Sequence, residues 1–378
     1  MRILVNICRT VLGLTLMLSG FAKAVDPLGT QYKIDEYLGA IGLASLADGY
    51  TTLTASIILC ALEFGLGLLL LLAIQQRLVA KTTILFMSIM TVVSIWLTIA
   101  NPISDCGCFG DAIHLTNVQT LLKNIVLAAL AIIVAWKSWN TTDTKAQWWK
   151  RWTFYGLMAV VLAVSAWGVY YLPIIDFRPF HIGASIREGI TIPEGEKLPK
   201  LETTFIMEKN GQQQEFKLEN YPDSTWTLVD TKTTVIEKGY EPPIHDFTIT
   251  DHETGEHIEE QMLSNPGYTI LLISPYLEKA DDSNFGDINA LYDYAKDKHW
   301  AFYCLTSSGD DSIAEWIDKT GAEYRFCMTD ATTLKTMVRS NPGIILLKDG
   351  RVMGKWGRNN LPSISKLEKS KGKTQYKK

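Results

Sequence analysis

The first 172 residues alternate between long apolar runs and short polar connections. Five runs approach the roughly 20 apolar residues that cross the hydrocarbon core of a membrane. They cover residues 3–22, 53–74, 83–100, 118–136 and 153–172. The pattern predicts a membrane all-α helical bundle with a four-helix core and one further span. The first run could instead be a signal peptide, but residues 21–24 are a poor cleavage context and four more spans follow, so we expect a retained span.

After residue 172 the pattern becomes that of a water-soluble chain. Residues 173–189 are expected to form a linker. The runs 202–208 and 213–218 flank Asn210-Gly211, and Asn-Gly between two such runs is a strong signal for a β-hairpin. Further strands are predicted at 226–230 and 233–237. We therefore interpret residues 198–239 as a small β extension.

From residue 245 onward, strands and helices alternate. Strands are predicted at 245–250, 268–274, 301–306 and 324–328, helices at 285–298, 312–320 and 331–339, and a closing hairpin at 344–347 and 352–356. Such an order implies an α/β domain with a mostly parallel sheet and helices on its faces. The basic tail, 363–378, is expected to be disordered. The expected units are 1–136, 137–173 with a cytoplasmic loop and the fifth span, 174–240, 241–362 and 363–378.

Basic residues are distributed unevenly among the connections. They precede the first run, separate the second from the third, and separate the fourth from the fifth. Because basic connections stay in the cytoplasm, we expect a bacterial inner-membrane protein with a cytoplasmic N-terminus and a periplasmic C-terminal domain. The expected partners are membrane lipid and a periplasmic protein. The net charge of −4 excludes a general nucleic-acid binder.

Candidate redox chemistry follows the third run, where Cys106 and Cys108 stand one glycine apart. A disulfide between them would close a strained ring, and strain makes a disulfide easier to reduce. Gly107 would supply the backbone freedom that the ring needs, and the flanking carboxylates of Asp105 and Asp111 would raise the pKa values of the thiols and favour the oxidised form. A static clip on the loop, two thiols that are bonded elsewhere, and a metal site, for which His114 is the only further ligand nearby, remain as alternatives.

Glu63 lies in the middle of the second apolar run. A carboxylate in hydrocarbon costs several kcal/mol, so its side chain should face the bundle interior and have a partner. The candidate partners are Lys123 and Asn124 in the fourth run and Lys23 at the end of the first. The functional interpretation is a proton relay or a hydrogen bond to a quinone, and the alternative is a polar latch between helices. A small-molecule transporter has only Glu63 in its support.

Several of these motifs resemble the Bacteroidetes-type DoxX/MauE-like membrane proteins over residues 1–136. The segments that carry the resemblance are 19–27, 63–65, 105–111 and 115–124. The resemblance implies a four-helix core related to quinone-linked thiol oxidoreductases. MauE is implicated in disulfide formation in a periplasmic dehydrogenase, and DoxX relatives belong to thiosulfate–quinone chemistry.

The C-terminal part resembles the TlpA-type thioredoxin-like domains. Residues 242–247, Gly255 and 268–274 resemble their opening, and 340–352 resembles their closing hairpin, with Pro342 where thioredoxins carry a cis-proline. The departure is that residues 275–280 contain no Cys-x-x-Cys. Cys304 and Cys327 fall in strands that could be neighbours, so they are a possible second thiol pair, and buried free thiols are the alternative.

Together these observations predict thiol–disulfide electron transfer from a periplasmic dithiol to a membrane quinone. Cys106 and Cys108 would exchange electrons, and Glu63 would manage a proton. The sequence carries no haem, flavin or metal signature. The alternative function is a non-enzymatic envelope subunit whose degenerate thioredoxin-like domain binds a protein partner.

Overall fold

The computed structural model describes residues 2–103, 105–138, 147–197, 200–209, 212–217, 220, 225–237, 239–244 and 247–372. Several predicted features therefore lie wholly or partly outside the described residues. They include the part of the cytoplasmic loop at 139–146, the turn at 210–211, the start of the strand at 245–250 and the end of the tail. The described residues 247–249 of that predicted strand are not in a strand, which begins only at Thr250.

The N-terminal part consists of six long helices and one short strand. The helices are α1 (Arg2–Val25), α2 (Pro27–Ala40), α3 (Tyr50–Leu72), α4 (Gln76–Ala100), α5 (Asn117–Ser138) and α6 (Trp148–Tyr170), and β1 (Cys108–Asp111) lies between α4 and α5. Five of them, all but α2, are long and apolar enough to cross a membrane. The five predicted spans are confirmed.

Helix α2 was not expected from the hydrophobic pattern. Its N-terminus is capped by Asp26, whose Oδ1 accepts a hydrogen bond from Gly29 N at 3.0 Å, and Pro27 occupies the first turn. Both residue types are favoured at these positions. Ser56 of α3 donates a hydrogen bond to the carbonyl of Pro27 at 2.7 Å, so α2 is tied to the bundle where it begins.

Small residues set the spacing between α1 and α3. A Cβ on Gly20 would overlap the backbone of Phe64, and a Cβ on Gly67 would overlap the backbone of Met17. The two backbones can therefore approach closely, as such residues allow in membrane helices. Helix α5 packs against α4 and α1, and α6 packs on the outside of α1 and α3.

The β extension is a three-stranded antiparallel sheet. Its strands are β2 (Lys200–Lys209), β3 (Gln212–Lys217) and β4 (Thr227–Glu237), in the order β3-β2-β4. The predicted hairpin is confirmed, since Lys209 pairs with Gln212. The two strands predicted at 226–230 and 233–237 are one continuous strand, because residues 230–235, which join the two halves, pair with β2 without interruption.

The C-terminal domain is built on a six-stranded sheet. Its strands are β5 (Thr250–Asp251), β6 (Tyr268–Ser274), β7 (Ala301–Thr306), β8 (Arg325–Met328), β9 (Gly343–Lys348) and β10 (Arg351–Gly357), in the order β10-β9-β6-β7-β8-β5. Only β6, β7 and β8 pair in parallel, and the other pairs are antiparallel. The sheet is therefore mixed, and the prediction of a mostly parallel sheet was wrong.

Six helices accompany this sheet. They are α7 (Ile186–Ile190), α8 (Glu259–Leu263), α9 (Phe285–Asp297), α10 (Asp310–Thr320), α11 (Ala331–Met337) and α12 (Ile364–Gly372). An apolar layer fills each face of the sheet. The helices predicted at 285–298, 312–320 and 331–339 are confirmed with small shifts of their ends.

Two predictions at the edges of this domain need correction. The predicted linker is largely part of the domain, because Phe180 and Ile186 are buried in its core and Ile186 N donates a hydrogen bond to Gly350 O. Residues 364–372 of the predicted disordered tail form α12. Leu367 anchors this helix, since its side chain is fully buried in the second apolar layer.

Candidate functional site

The Cys-Gly-Cys segment lies in the connection between α4 and α5. Cys106 and Cys108 are paired with each other, and their Cα atoms are 5.5 Å apart. Gly107 has a φ of +62°, a backbone conformation that favours glycine. Gly107 N donates a hydrogen bond to Asp105 Oδ1 at 3.1 Å. The pair thus lies on a tight turn that the backbone conformation of Gly107 and its hydrogen bond to Asp105 stabilise.

Three side chains from different helices hold this turn in place. Tyr37 of α2 donates a hydrogen bond to the carbonyl of Cys106, and Ser19 of α1 donates one to the carbonyl of Cys108, each at 2.6 Å. Thr120 of α5 places its Oγ1 3.3 Å from Cys106 Sγ. The cysteine pair is therefore positioned by α2 together with α1 and α5, two of the five helices that are apolar and long enough to cross a membrane.

The cysteine pair lines an apolar cavity of about 180 Å³. Cys106 and Cys108 are both buried, each with 7 % of its surface exposed. The rest of the lining comes from α2, α3, α4 and α5, together with Lys23 and Gly107. Its apolar side chains are Ile34, Leu59, Met90, Val93 and Leu97. The sulfurs therefore face a small apolar space among the membrane helices.

Each flanking carboxylate has a basic side chain as its partner. Asp105 Oδ2 lies 3.0 Å from His114 Nδ1, and Asp111 Oδ2 lies 2.7 Å from Arg339 Nη2. Burial opposes the charge of Asp105, but the hydrogen bonds from His114 and Gly107 lower its pKa below the ordinary value. The hydrogen bond to Asp105 raises the pKa of His114. Each basic partner offsets the rise in thiol pKa that its aspartate would cause.

Glu63 has Lys23 as its partner. Glu63 Oε2 accepts a hydrogen bond from Lys23 Nζ at 2.5 Å, and both side chains are buried. The expected partner Lys123 instead places its Nζ 4.8 Å from the centre of the Phe109 ring. Asn124 donates to Ser94 Oγ at 3.2 Å and so connects α5 with α4. The close approach of α1 and α3 at Gly20 brings Lys23 to Glu63.

A second, very small cavity connects the carboxylate with the cysteine pair. It measures about 10 Å³, close to the space that one water molecule needs. Glu63, Lys23, Lys123, Asn124 and Cys108 all line it. The structure thus brings together candidate residues from four segments of the chain, namely α1, α3, α5 and the cysteine loop.

Two family models match parts of the chain. Residues 1–137 match the model of the family described as methylamine utilisation protein MauE. This part of the chain is MauE-like. Residues 201–238, which include most of the β extension, match a domain of unknown function, DUF8463. No curated protein and no solved structure matches the chain.

The C-terminal domain contains the backbone arrangement that its sequence suggested, without cysteines at 275–280. The Asn341–Pro342 peptide bond is cis. Asn341 Nδ2 donates to the carbonyl of Tyr276 at 2.8 Å, and Ser274 Oγ donates to Asn341 Oδ1 at 2.7 Å. The segment after β6 is therefore fixed to the loop that contains Pro342. The thioredoxin-like assignment stays a prediction.

Cys304 and Cys327 do not form a disulfide. Their strands, β7 and β8, are neighbours, but Cys304 pairs in register with Phe326 and Cys327 with Leu305. Because alternate residues of a strand face opposite sides of the sheet, the two thiols lie in different apolar layers. Both are free and buried. The possible second thiol pair was wrong, and the alternative of buried free thiols is the one the structure has.

An arginine that the sequence did not single out joins the C-terminal domain to the MauE-like part. Arg339 follows α11, and its side chain is 6 % exposed. Its Nε donates to Asp26 Oδ2 at 2.8 Å, and its Nη2 donates to Asp111 Oδ2 at 2.7 Å. Burial opposes the charges, yet Arg339 lowers the pKa of Asp26, and Asp26 and Asp111 raise the pKa of Arg339. No local pattern marks a contact between residues 313 positions apart.

Two clefts lie between the MauE-like part and the C-terminal domain. The polar cleft, of about 340 Å³, is bordered by α2, the loop after β1 and α11. The wide cleft, of about 1070 Å³, continues from it between residues 111–116 and 177–189. Asp105, Asp111, His114 and Arg178 are among the residues that line both clefts. The two clefts therefore form one continuous groove beside the cysteine loop.

Proposed function

We propose that this protein transfers electrons from protein dithiols to a membrane quinone through Cys106 and Cys108. The observation that carries the proposal is the position of the cysteine pair, which lines an apolar cavity among membrane-type helices. The MauE-like sequence of residues 1–137 supports a membrane electron-transfer role. The uneven distribution of basic residues supports a periplasmic location for the loop and an inner-membrane location for the helices.

The proposed reaction balances in two steps. In the first, a client dithiol loses two electrons and two protons and becomes a disulfide, while the Cys106–Cys108 disulfide becomes two thiols. In the second, the two thiols lose the same two electrons and two protons and form their disulfide again. A thiolate is the attacking species in each exchange. A quinone supplies the second step with an acceptor of two electrons and two protons.

The volume and the lining of the apolar cavity support a quinone ring as its occupant. A cavity of roughly 150 Å³ lined by apolar side chains is large enough to hold a benzene ring, and this one measures about 180 Å³. Lys23 and Asn124 line it on one side and Tyr37 on another, so polar groups are available for the ring oxygens. Leu59, Met90 and Val93 would contact the faces of the ring.

Glu63 and the lysines near it would handle the protons. Cys108 lines the small cavity together with Glu63, Lys23 and Lys123. A carboxylate and two amines around a space for one water molecule can accept and return protons as the thiols form and disappear. The positive charges of the lysines would also stabilise a Cys108 thiolate.

One observation favours the alternative, a non-enzymatic envelope subunit. Both cysteines are buried, and Arg339 ties the C-terminal domain to the loop that carries them. In this alternative the disulfide only holds the loop in shape, and the groove binds a protein partner.

Trapping of thiols with an alkylating reagent in living cells tests the proposal. In the full-length protein the pair should be oxidised in normal cells and should accumulate as two thiols when quinone synthesis is blocked. Cys106→Ser or Cys108→Ser should capture a client as a mixed disulfide, whereas Cys304→Ser, the control, should not. A pair that stays oxidised whatever the quinone content would contradict the proposal. A partner recovered equally well by the Cys106→Ser, Cys108→Ser double variant would favour the alternative.

A further inference from the structure

Helix α2 separates the cysteine pair from the groove. Its residues Thr30, Lys33, Ile34 and Tyr37 lie on one face, at helical spacing, and line the apolar cavity. Its other face contributes to the polar cleft. Of the residues of α2, all of which the structure describes, only Lys33 lines both spaces. A thiol in the groove is thus on the opposite side of the Lys33 side chain from the two sulfurs.

Lys33 also covers the turn between the two cysteines. A Cβ on Gly107 would lie 3.1 Å from Cγ of Lys33, so the aliphatic part of the lysine packs directly on the glycine. The ammonium group reaches the other way and forms an ion pair with Glu36 at 2.8 Å. Long lysine side chains commonly pack their stem on an apolar surface and leave the charged end in water.

The Lys33 side chain has room and partners for a second position. It is 30 % exposed, and its partner Glu36 is 40 % exposed, so neither is locked in the core. Asp35 and Asp105 offer further carboxylates on the cleft side. The ammonium group could therefore rotate into the polar cleft without losing an opposite charge, and this rotation would uncover Gly107.

We propose that Lys33 is the gate through which a client cysteine reaches Cys106 and Cys108. Closed, its stem covers the turn and separates the apolar cavity from water. Open, it connects the groove with the disulfide. The existence of a client in this inference rests on the proposed function. The test of the gate does not depend on that function.

The groove indicates what kind of client enters. The wide cleft alone, at about 1070 Å³, is at the upper limit of the roughly 300–1,000 Å³ typical of small-molecule sites. It is open and continuous with the polar cleft, which Lys33 lines. Its lining mixes carboxylates, basic groups and apolar residues such as Leu115, Phe177 and Pro179. An extended polypeptide segment that carries a cysteine matches this length and this mixture better than a small thiol.

The gate can be tested on the purified, full-length protein in detergent. The measured quantity is the rate at which Cys106 and Cys108 become alkylatable when glutathione, or a soluble peptide with two cysteines, is added. Two thiols of the reductant become one disulfide for each cysteine pair that is reduced. Lys33→Ala should increase this rate roughly ten-fold, because a mostly closed gate leaves only a small reactive population.

Two further variants keep the test specific. Lys33→Met retains the stem without the charge, so it should stay closer to the wild-type rate than Lys33→Ala does. Lys348→Ala, an exposed lysine on β9, is the control and should behave as wild type. Thermal unfolding of each variant checks that the fold is intact. Equal rates for Lys33→Ala and wild type would overturn the gate, and so would a Lys33→Met variant as fast as Lys33→Ala.

The gate and the proposed function can fail separately. If Lys33→Ala speeds the reduction of the cysteine pair but the pair in cells does not respond to quinone depletion, the gate stands and the electron-transfer proposal fails. A quinone-dependent pair whose reduction is unaffected by Lys33→Ala would do the opposite.

Discussion

Arg339 of the C-terminal domain donates a hydrogen bond to Asp111, the last residue of the short strand that begins at Cys108. The same guanidinium contacts Asp26 at the start of α2, the helix that covers the apolar cavity. The C-terminal domain, which has no cysteines at 275–280, is thus attached both to the cysteine loop and to α2. Its contribution to the site is to hold the cysteine loop and the start of α2 in position.

Replacement of Arg339 should therefore loosen the contact between the two parts. Arg339→Met leaves the buried carboxylate of Asp26 without its hydrogen-bonded cation, a change that typically costs about 3–5 kcal/mol, and removes the cation beside the partly exposed carboxylate of Asp111. We expect a lower unfolding temperature and faster proteolysis between the fifth span and the C-terminal domain. Lys319→Met, which removes an exposed ion pair with Asp282, is the control and should have little effect. Identical proteolysis of the two variants would contradict this role of Arg339.

The buried pair of Lys23 and Glu63 gives a second prediction. Lys23→Met and Glu63→Gln should each destabilise the helical bundle by about 3–5 kcal/mol, because either change leaves a buried polar group without its partner. The double variant should lose less than the sum of the two, since no unpaired charge remains. Unfolding in detergent measures all three, with the exposed Lys137→Met as control. Strict additivity would mean that the two side chains do not interact.

Gly107 gives a third prediction. Its φ of +62° costs a non-glycine residue about 1–2 kcal/mol, and a methyl group there would also press on Lys33. Gly107→Ala should therefore lower the unfolding temperature and expose the disulfide to reduction. Gly156→Ala, in α6 with open space around the new methyl group, should cause no such loss. A Gly107→Ala protein as stable as wild type would show that the turn relaxes freely.

Lys355 predicts a dependence of stability on pH. Burial, together with the charge of Arg178, lowers its pKa from 10.5 to about 7, although Asp176 lies 2.7 Å away. Between these values the unfolded chain binds the proton and the folded chain does not, so the contribution of Lys355 to stability rises with pH from about 7 upward and is least favourable below it.

The measurement for Lys355 is the difference in free energy of unfolding between wild type and Lys355→Met. Relative to the variant, wild type should gain stability as the pH increases from about 6 to about 9. The difference isolates this lysine from other groups that titrate in the same range. A difference that is constant, or that falls with pH, would show that Lys355 stays charged in the folded protein.

Much of the secondary structure was predictable because its signals are local. The five apolar helices, the hairpin of β2 and β3 and the strands β6 and β7 follow from the period and length of their apolar runs. Helix α2 was missed because its buried residues are Pro27, Thr30 and Gln31, so it shows no apolar stripe of helical period. The mixed sheet was missed because the order of elements along the chain does not determine the direction in which β5, β9 and β10 pair.

By itself, the sequence determined the five apolar helices, the change to a pattern of strands and helices after residue 172 and the nearness of Cys106 to Cys108, since each depends on neighbours in the chain. Only the tertiary structure decided that Lys23, rather than Lys123, pairs with Glu63, that Cys304 and Cys327 face away from each other, and that Arg339 and Lys33 flank the cysteine turn. Such contacts depend on which faces of distant elements meet. Packing decides which faces meet, through close approaches such as the one at Gly20, and no local sequence pattern encodes this choice.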